Sequence, residues 1–224
     1  MKVIISTKSP EYIKARNALK SGKFNGAYYY AREIEEIMLP LLKTDRNVFT
    51  IHVPNIGIDN ALIWAHSNIQ LESVYNHWHK YKDLVFIVSQ KQTYDKLICL
   101  FPNDKIIYLP LSIDFSYLDK FKYMGQRKGS VYFGNVWAER HSIFEKIPKS
   151  VNRLHDVPRK RGLEIIARAE TVYACGRCYL ESLYLNPKGT IHVKPDYATD
   201  DLVLIDTHEA VKLLQKELDK IENI

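Results

Sequence analysis

Short apolar runs alternate with segments of helical period along almost the whole chain, and this alternation constrains the fold more than any other feature. Short apolar-rich runs at 3–5, 48–53, 61–65, 84–88 and 105–109 read as strands, those at 3–5, 61–65 and 84–88 apolar throughout as in strands buried on both sides. Strands of that kind pair in parallel, and parallel neighbours need a helical crossover between them. The intervening segments supply it, with helices expected from Pro10, over 27–42, 70–81 and 91–100; Gly22 suits a C-cap and Asn25-Gly26 a helix entry. A second series follows, with strands at 130–133, 151–154, 171–174 and 190–193 and helices at 138–147, 159–168 and 178–185. The expected class is α/β.

With 224 residues the chain can form one large domain or two compact ones. The stretch 116–129 holds Lys120, Lys122, Arg127, Lys128 and two glycines, a composition suited to an exposed connection. The expected organisation is therefore an N-terminal lobe over 1–115, a linker over 116–129, a C-terminal lobe over 130–205 and a terminal helix over 206–224. No period links the two halves, so they are two similar folds rather than a repeat array. The last helix carries Val211, Leu214, Leu218 and Ile221 on one stripe and should dock on a lobe. Its two heptads are too few for a coiled coil.

The formal charge is +6. It is uneven: residues 120–168 carry twelve basic and four acidic side chains, and residues 196–224 three and eight. The basic middle segment could face phosphate groups. Arg159-Lys160-Arg161, with Arg153 and Arg168 nearby, could bind nucleic acid, although such a cluster opening a helix is usually a solvated face and no nucleic-acid motif supports it. Three cysteines do not make the paired framework of a small secreted domain. Cys175-Gly176-Arg177-Cys178 matches a dithiol pattern but comes too late in the chain for a thioredoxin-type motif, and no second pair completes a zinc site. No apolar run reaches membrane-spanning length, and the start turns polar too early for a secretory signal, so a cytoplasmic protein is expected.

In open parallel sheets ligands bind beyond the carboxyl ends of the strands. Gly26 at a helix start allows close backbone approach, and His66 directly follows a strand. Gly134 and Asn135 follow another, with Arg140 early in the next helix. The strongest local signal is the strand, glycine turn and helix around Gly176, where free N–H groups and Arg177 form an anion pocket. Glu181 lies one turn further on, where a carboxylate can accept hydrogen bonds from two ribose hydroxyls. No Asp-x-Asp triplet is present, and the adjacent Asp200 and Asp201 read as a turn before a strand at 202–205, so no metal site is expected.

These elements resemble the nucleotide-sugar glycosyltransferases of the GT-B fold, in particular the retaining, glycosyltransferase group 1-like enzymes, over most of the chain. Phe24-Asn25-Gly26-Ala27 looks like the glycine loop of their acceptor lobe, and Ile63-Trp64-Ala65-His66 like the strand ending in a sugar-contacting histidine. Val88-Ser89 and 107–114 are similar to the serine-ended strand and the proline-to-aspartate segment before the lobe crossing. Tyr132-Phe133-Gly134-Asn135 with Arg140 looks like the loop and basic residue that hold the donor diphosphate, and 178–183 like the helix whose glutamate binds ribose.

The resemblance implies two small Rossmann-like lobes, the first holding the acceptor and the second a nucleoside-diphosphate sugar. That sugar is the donor substrate, with no further cofactor, and His66 is the residue assigned to catalysis. Gly26, Gly134, Asn135, Arg140, Gly176, Arg177 and Glu181 are assigned to substrate binding. The acceptor and the oligomeric state stay open, nucleic acid being one option for the acceptor. The first glutamate of the family's Glu-x7-Glu pair would align near Tyr173 and is absent, and the loop before Glu181 is short. The competing expectation is a catalytically silent protein of the same fold that binds a nucleotide or nucleic acid.

Overall fold

The computed structural model describes residues 2–18, 26–53, 55–65, 71–134, 143–154, 157–194 and 202–222. Within them the chain is α/β, with two parallel sheets and a C-terminal helix. By internal packing it divides into two units, Met1–Pro110 with Thr207–Ile224, and Leu111–Asp206. Among the described residues no helix is long and apolar enough to cross a membrane.

The sheet of the first unit contains β1 (Ile4–Ile5), β2 (Asn47–Phe49), β3 (Ala61–Ala65), β4 (Leu84–Val88) and β5 (Lys105–Tyr108), all parallel and paired in the order β1-β2-β3-β4-β5. Ala61, Ile63, Leu84, Phe86 and Val88 pack against Val74 and Trp78 of α4 (Leu71–Trp78), Leu97 of α5 (Lys91–Leu100) and Phe101. The alternate residues Leu62, Trp64, Val85 and Ile87 are buried as well. Burial on both faces is why these runs carry no alternation.

Between β1 and β2 run α1 (Pro10–Ala18), α2 (Gly26–Glu33), a π-helical turn (Ile34–Met38) and α3 (Leu39–Leu41). Pro40 lacks an N–H and crowds the carbonyl four residues back, which the wider turn accommodates. That turn carries Glu35 to the sheet: its carboxylate accepts from Thr7 N and Thr7 Oγ1, both at 2.6 Å, and from Thr50 Oγ1 at 2.7 Å. Terminal helix α9 (Thr207–Glu222) packs on the same turn and on β5, burying Ala210, Val211, Leu214 and Leu218. At its start Thr207 Oγ1 donates to Oε1 of the buried Glu33 at 2.5 Å.

The second unit contains β6 (Ser130–Phe133), β7 (Asn152–Arg153), β8 (Thr171–Ala174) and β9 (Thr190–His192), parallel in the order β7-β6-β8-β9. One face packs Val131, Val172 and Ala174 against α7 (Arg159–Arg168) and α8 (Gly176–Leu185) through Leu163, Ile166 and Leu180. The other packs Tyr132 with Ile147, Val151 and Val193. Residues 135–142, where much of a helix was expected, lie outside the described residues; a 3-10 turn spans Ile143–Lys146.

The polar stretch 116–129 falls inside this unit. It opens within α6 (Phe115–Asp119), which Asp114 caps by accepting from Tyr117 N at 2.9 Å and which buries Leu118. Further on, Arg127 donates to Ala167 O at 3.0 Å and Leu185 O at 3.1 Å, a cation at the C-terminal ends of α7 and α8. Residues 202–205 form no strand. Ile113 instead makes an isolated parallel bridge to Asp206, its N–H donating to Ile205 O at 3.1 Å.

Candidate functional site

Strand order in the second sheet reverses between β6 and β8: the chain leaves β6 for β7 on one side and returns past it to β8 on the other. Connections that diverge in this way open a crevice beyond the carboxyl ends of the two central strands, the usual ligand position in such a sheet. Phe133 and Ala174 are register partners, so the loops starting at Gly134 and Cys175 leave the sheet side by side. The first sheet steps from neighbour to neighbour without a reversal.

Both glycines have a local physical reason. Gly176, the first residue of α8, has φ +54° with nothing within 4 Å of where a Cβ would stand, so its requirement is conformational. At Gly134 the requirement is space: a Cβ would stand 2.3 Å from Tyr132 Oη. The fully buried Tyr132 runs beneath the loop and places its hydroxyl 3.9 Å from Cys175 Sγ, tying the two strand ends together.

One turn into α8, Glu181 is only 3% exposed, and both its partners are arginines. Arg177 Nε donates to Glu181 Oε1 at 3.1 Å, and Arg159 Nη2, from the first turn of α7, donates to the same oxygen at 2.5 Å. Arg159 also lies over the ring of Tyr117, 5.4 Å from its centroid. Two guanidinium groups thus meet one carboxylate beside the α8 N-terminus, where the helix dipole favours an anion. Burial raises the thiols of Cys175 and Cys178 above the usual cysteine range, Glu181 adding to the effect at Cys178, so neither is a ready thiolate.

The first unit gathers polar groups beyond its own strands. His52, after β2, accepts from Trp78 Nε1 at 3.3 Å through Nδ1. Burial, with the neighbouring His77, pushes its pKa down to about 4, so the ring is neutral at pH 7. Buried Tyr30 of α2 lies with its hydroxyl 3.5 Å from Ser89 Oγ, directly after β4.

Of the residues assigned from sequence, Gly134, Gly176, Arg177 and Glu181 gather around the reversal in the second unit. Gly26 is the first residue of α2 in the first unit. His66, Asn135 and Arg140 lie outside the described residues. Glu181, expected to face a ribose, accepts from two arginines. Arg159 was read as part of a solvated cluster, and a separation of 22 residues between it and Glu181 offers no sequence signal for their pairing. The Arg177–Glu181 contact, at i and i+4 on one helix, was readable. Among the described residues no three His, Cys, Asp or Glu side chains are grouped to hold a metal ion.

No protein-family model, curated protein sequence or solved structure matches this chain.

Proposed function

We propose that the second unit binds the diphosphate of a nucleoside-diphosphate sugar at the crevice between β6 and β8, and that the chain is a glycosyltransferase. The observation that carries this reading is the reversal of strand order, with a glycine-led loop on each of the two strands that form it. Phosphoryl oxygens can approach the bare backbone at Gly134 and Gly176 and meet the free N–H groups of α8. Arg177 and Arg159 then stabilise charge developing on the departing diphosphate, while Glu181 fixes their positions. In the proposal Asn135 and Arg140 extend the donor contacts. Gly26 and His66 belong to the resemblance alone, His66 as the catalytic group.

A second reading is a nucleotide-binding protein without transfer. It is favoured by Glu181, whose carboxylate is engaged by arginines rather than offered to a sugar, and by Tyr173 standing where the family's first glutamate would be.

The test is a thermal-shift panel of UDP-glucose, ADP-glucose and GDP-mannose at about 1 mM in excess EDTA, followed by chromatography for released nucleoside diphosphate. The proposal expects at least one donor to stabilise the chain, with the shift lost in Arg177→Gln while circular dichroism stays native. Stabilisation without release supports the second reading. No shift and no release with any of the three would overturn both.

A further inference from the structure

Away from the loops at the strand-order reversal, four cations of the second unit surround a hollow of about 480 Å³ between α7 and the segment formed by α6 and the residues after it. Lys160 and Arg168 line one wall, two turns apart on α7 and so about 12 Å along its axis. Lys120 and Lys122 line the other, with Tyr117 and Phe121 beneath them. The carboxylates nearby are already engaged: Glu164, which also lines the hollow, pairs with Arg161 at 3.2 Å, and Asp119 pairs with Lys122 at 2.8 Å. Among the described residues Lys120, Lys160 and Arg168 have no ion-pair partner. Lys120 and Arg168 rest instead on aromatic rings, 5.6 Å from the centroid of Tyr117 and 5.5 Å from that of Tyr123, which fixes their positions without neutralising them.

The hollow gathers four of the twelve basic residues in 120–168, none of which the donor site uses. An uncompensated set of cations on a solvated surface repels itself, and an anion relieves that repulsion. A single phosphate is too small to meet cations spread over two helical turns. The volume lies within the range of small-molecule pockets, roughly 300 to 1,000 Å³, which points to a bounded ligand rather than a track for a polymer. The rings of Tyr117 and Tyr123 already carry the protein's own cations, which leaves them poor platforms for stacked bases.

We propose that the hollow is a second anion site, for a compact ligand carrying two or more phosphoryl groups. It takes either a soluble oligophosphate or the multiply phosphorylated headgroup of a lipid, and it stands independently of the donor site proposed above.

The experiment is calorimetric titration of the full chain with tripolyphosphate at about 50 and about 200 mM salt, on wild type, on Lys160→Gln with Arg168→Gln, and on Lys216→Gln as an exposed control on α9. Beyond any binding at the α8 N-terminus, which Arg177→Gln removes, the hollow should take one anion per chain, about tenfold or more tighter than orthophosphate. The double variant should lose about tenfold or more, and the control should match wild type. Co-flotation with vesicles bearing phosphatidylinositol bisphosphate, lost in the double variant, assigns the ligand to a headgroup; tripolyphosphate binding without flotation assigns it to a soluble anion. Equal affinity of wild type and double variant overturns the site. So does a short single-stranded oligonucleotide that binds about tenfold tighter than tripolyphosphate and depends on the same two residues, because the ligand is then nucleic acid.

Discussion

Replacing Glu181 by Gln should destabilise the second unit, and the size of the loss follows from the two arginines that share its carboxylate. Removing one partner of a buried ion pair costs about 3 to 5 kcal/mol, because the remaining charge is left without compensation. Arg177, with a side chain only 8% exposed, bears the larger share of that cost, whereas Arg159, at 21%, can turn partly to water. The lower end of the range, about 3 kcal/mol, is therefore expected. With a urea slope of about 2 kcal/mol per molar, the unfolding midpoint should fall by about 1.5 M. Circular dichroism in urea measures the midpoint, and hydrogen exchange on peptides from α7 and α8 places the loss. In a double-mutant cycle with Arg177→Met the two changes should couple by about 1 kcal/mol or more, the second being cheaper once the first is made. A midpoint shift below about 0.3 M, or unchanged exchange in both helices, would refute the view that Glu181 is a buried anchor rather than a group turned to solvent or ligand.

Gly176→Ala should cost about 1 to 2 kcal/mol through its positive φ alone, since no atom stands in the way of the new methyl; equal midpoints for the two proteins would show that the turn can relax. His52 titrates near 4 in the fold and near 6.5 in the unfolded chain, so the unfolded state takes up its proton first as pH falls. Stability should drop from about pH 6.5 down to about 4, by roughly 3 kcal/mol, and urea midpoints across this window should slope less steeply in His52→Asn; identical slopes would remove His52 as the cause. Cys99 is exposed while burial raises the thiols of Cys175 and Cys178, so timed iodoacetamide labelling read by peptide mass should modify Cys99 first. Equal labelling of all three would contradict the partly buried placement of Cys175 and Cys178.

The elements easiest to read from sequence were those whose neighbours in the chain are also their physical context. Ala61–Ala65 and Leu84–Val88 are apolar at every position because both faces of the sheet are covered, and Arg159–Arg168 buries Leu163, Ile166 and Ala167 on one helical face. What depends on distant partners was not legible. Nothing in the sequence sets β6 beside β8 rather than β9, yet that adjacency decides where the crevice opens. The stretch 116–129 was read as a connection from its charges. Leu118 and Phe121 nevertheless pack into the core of the second unit, and the guanidinium of Arg127 donates to carbonyls at the ends of two helices. The strand expected at 202–205 failed for a related reason: apolar content suggested a ladder, but only Asp206 reaches a bridging partner.

The arrangement at the α8 N-terminus also argues for the kind of ligand it suits. A carboxylate paired with one arginine would present a neutral wall, and two arginines without a carboxylate would be too costly to bury. Two on one, with Glu181 almost inaccessible, fix two guanidinium groups beside the helix N-terminus. A neutral sugar arriving at the crevice gains little from them, because it offers no charge to offset. A phosphoryl group would gain from them, from the helix dipole and from the N–H groups after Gly176 at once. On the proposed reading, nucleoside diphosphates should therefore compete for the site about as well as whole nucleotide sugars, while free sugars and nucleosides should not compete at all.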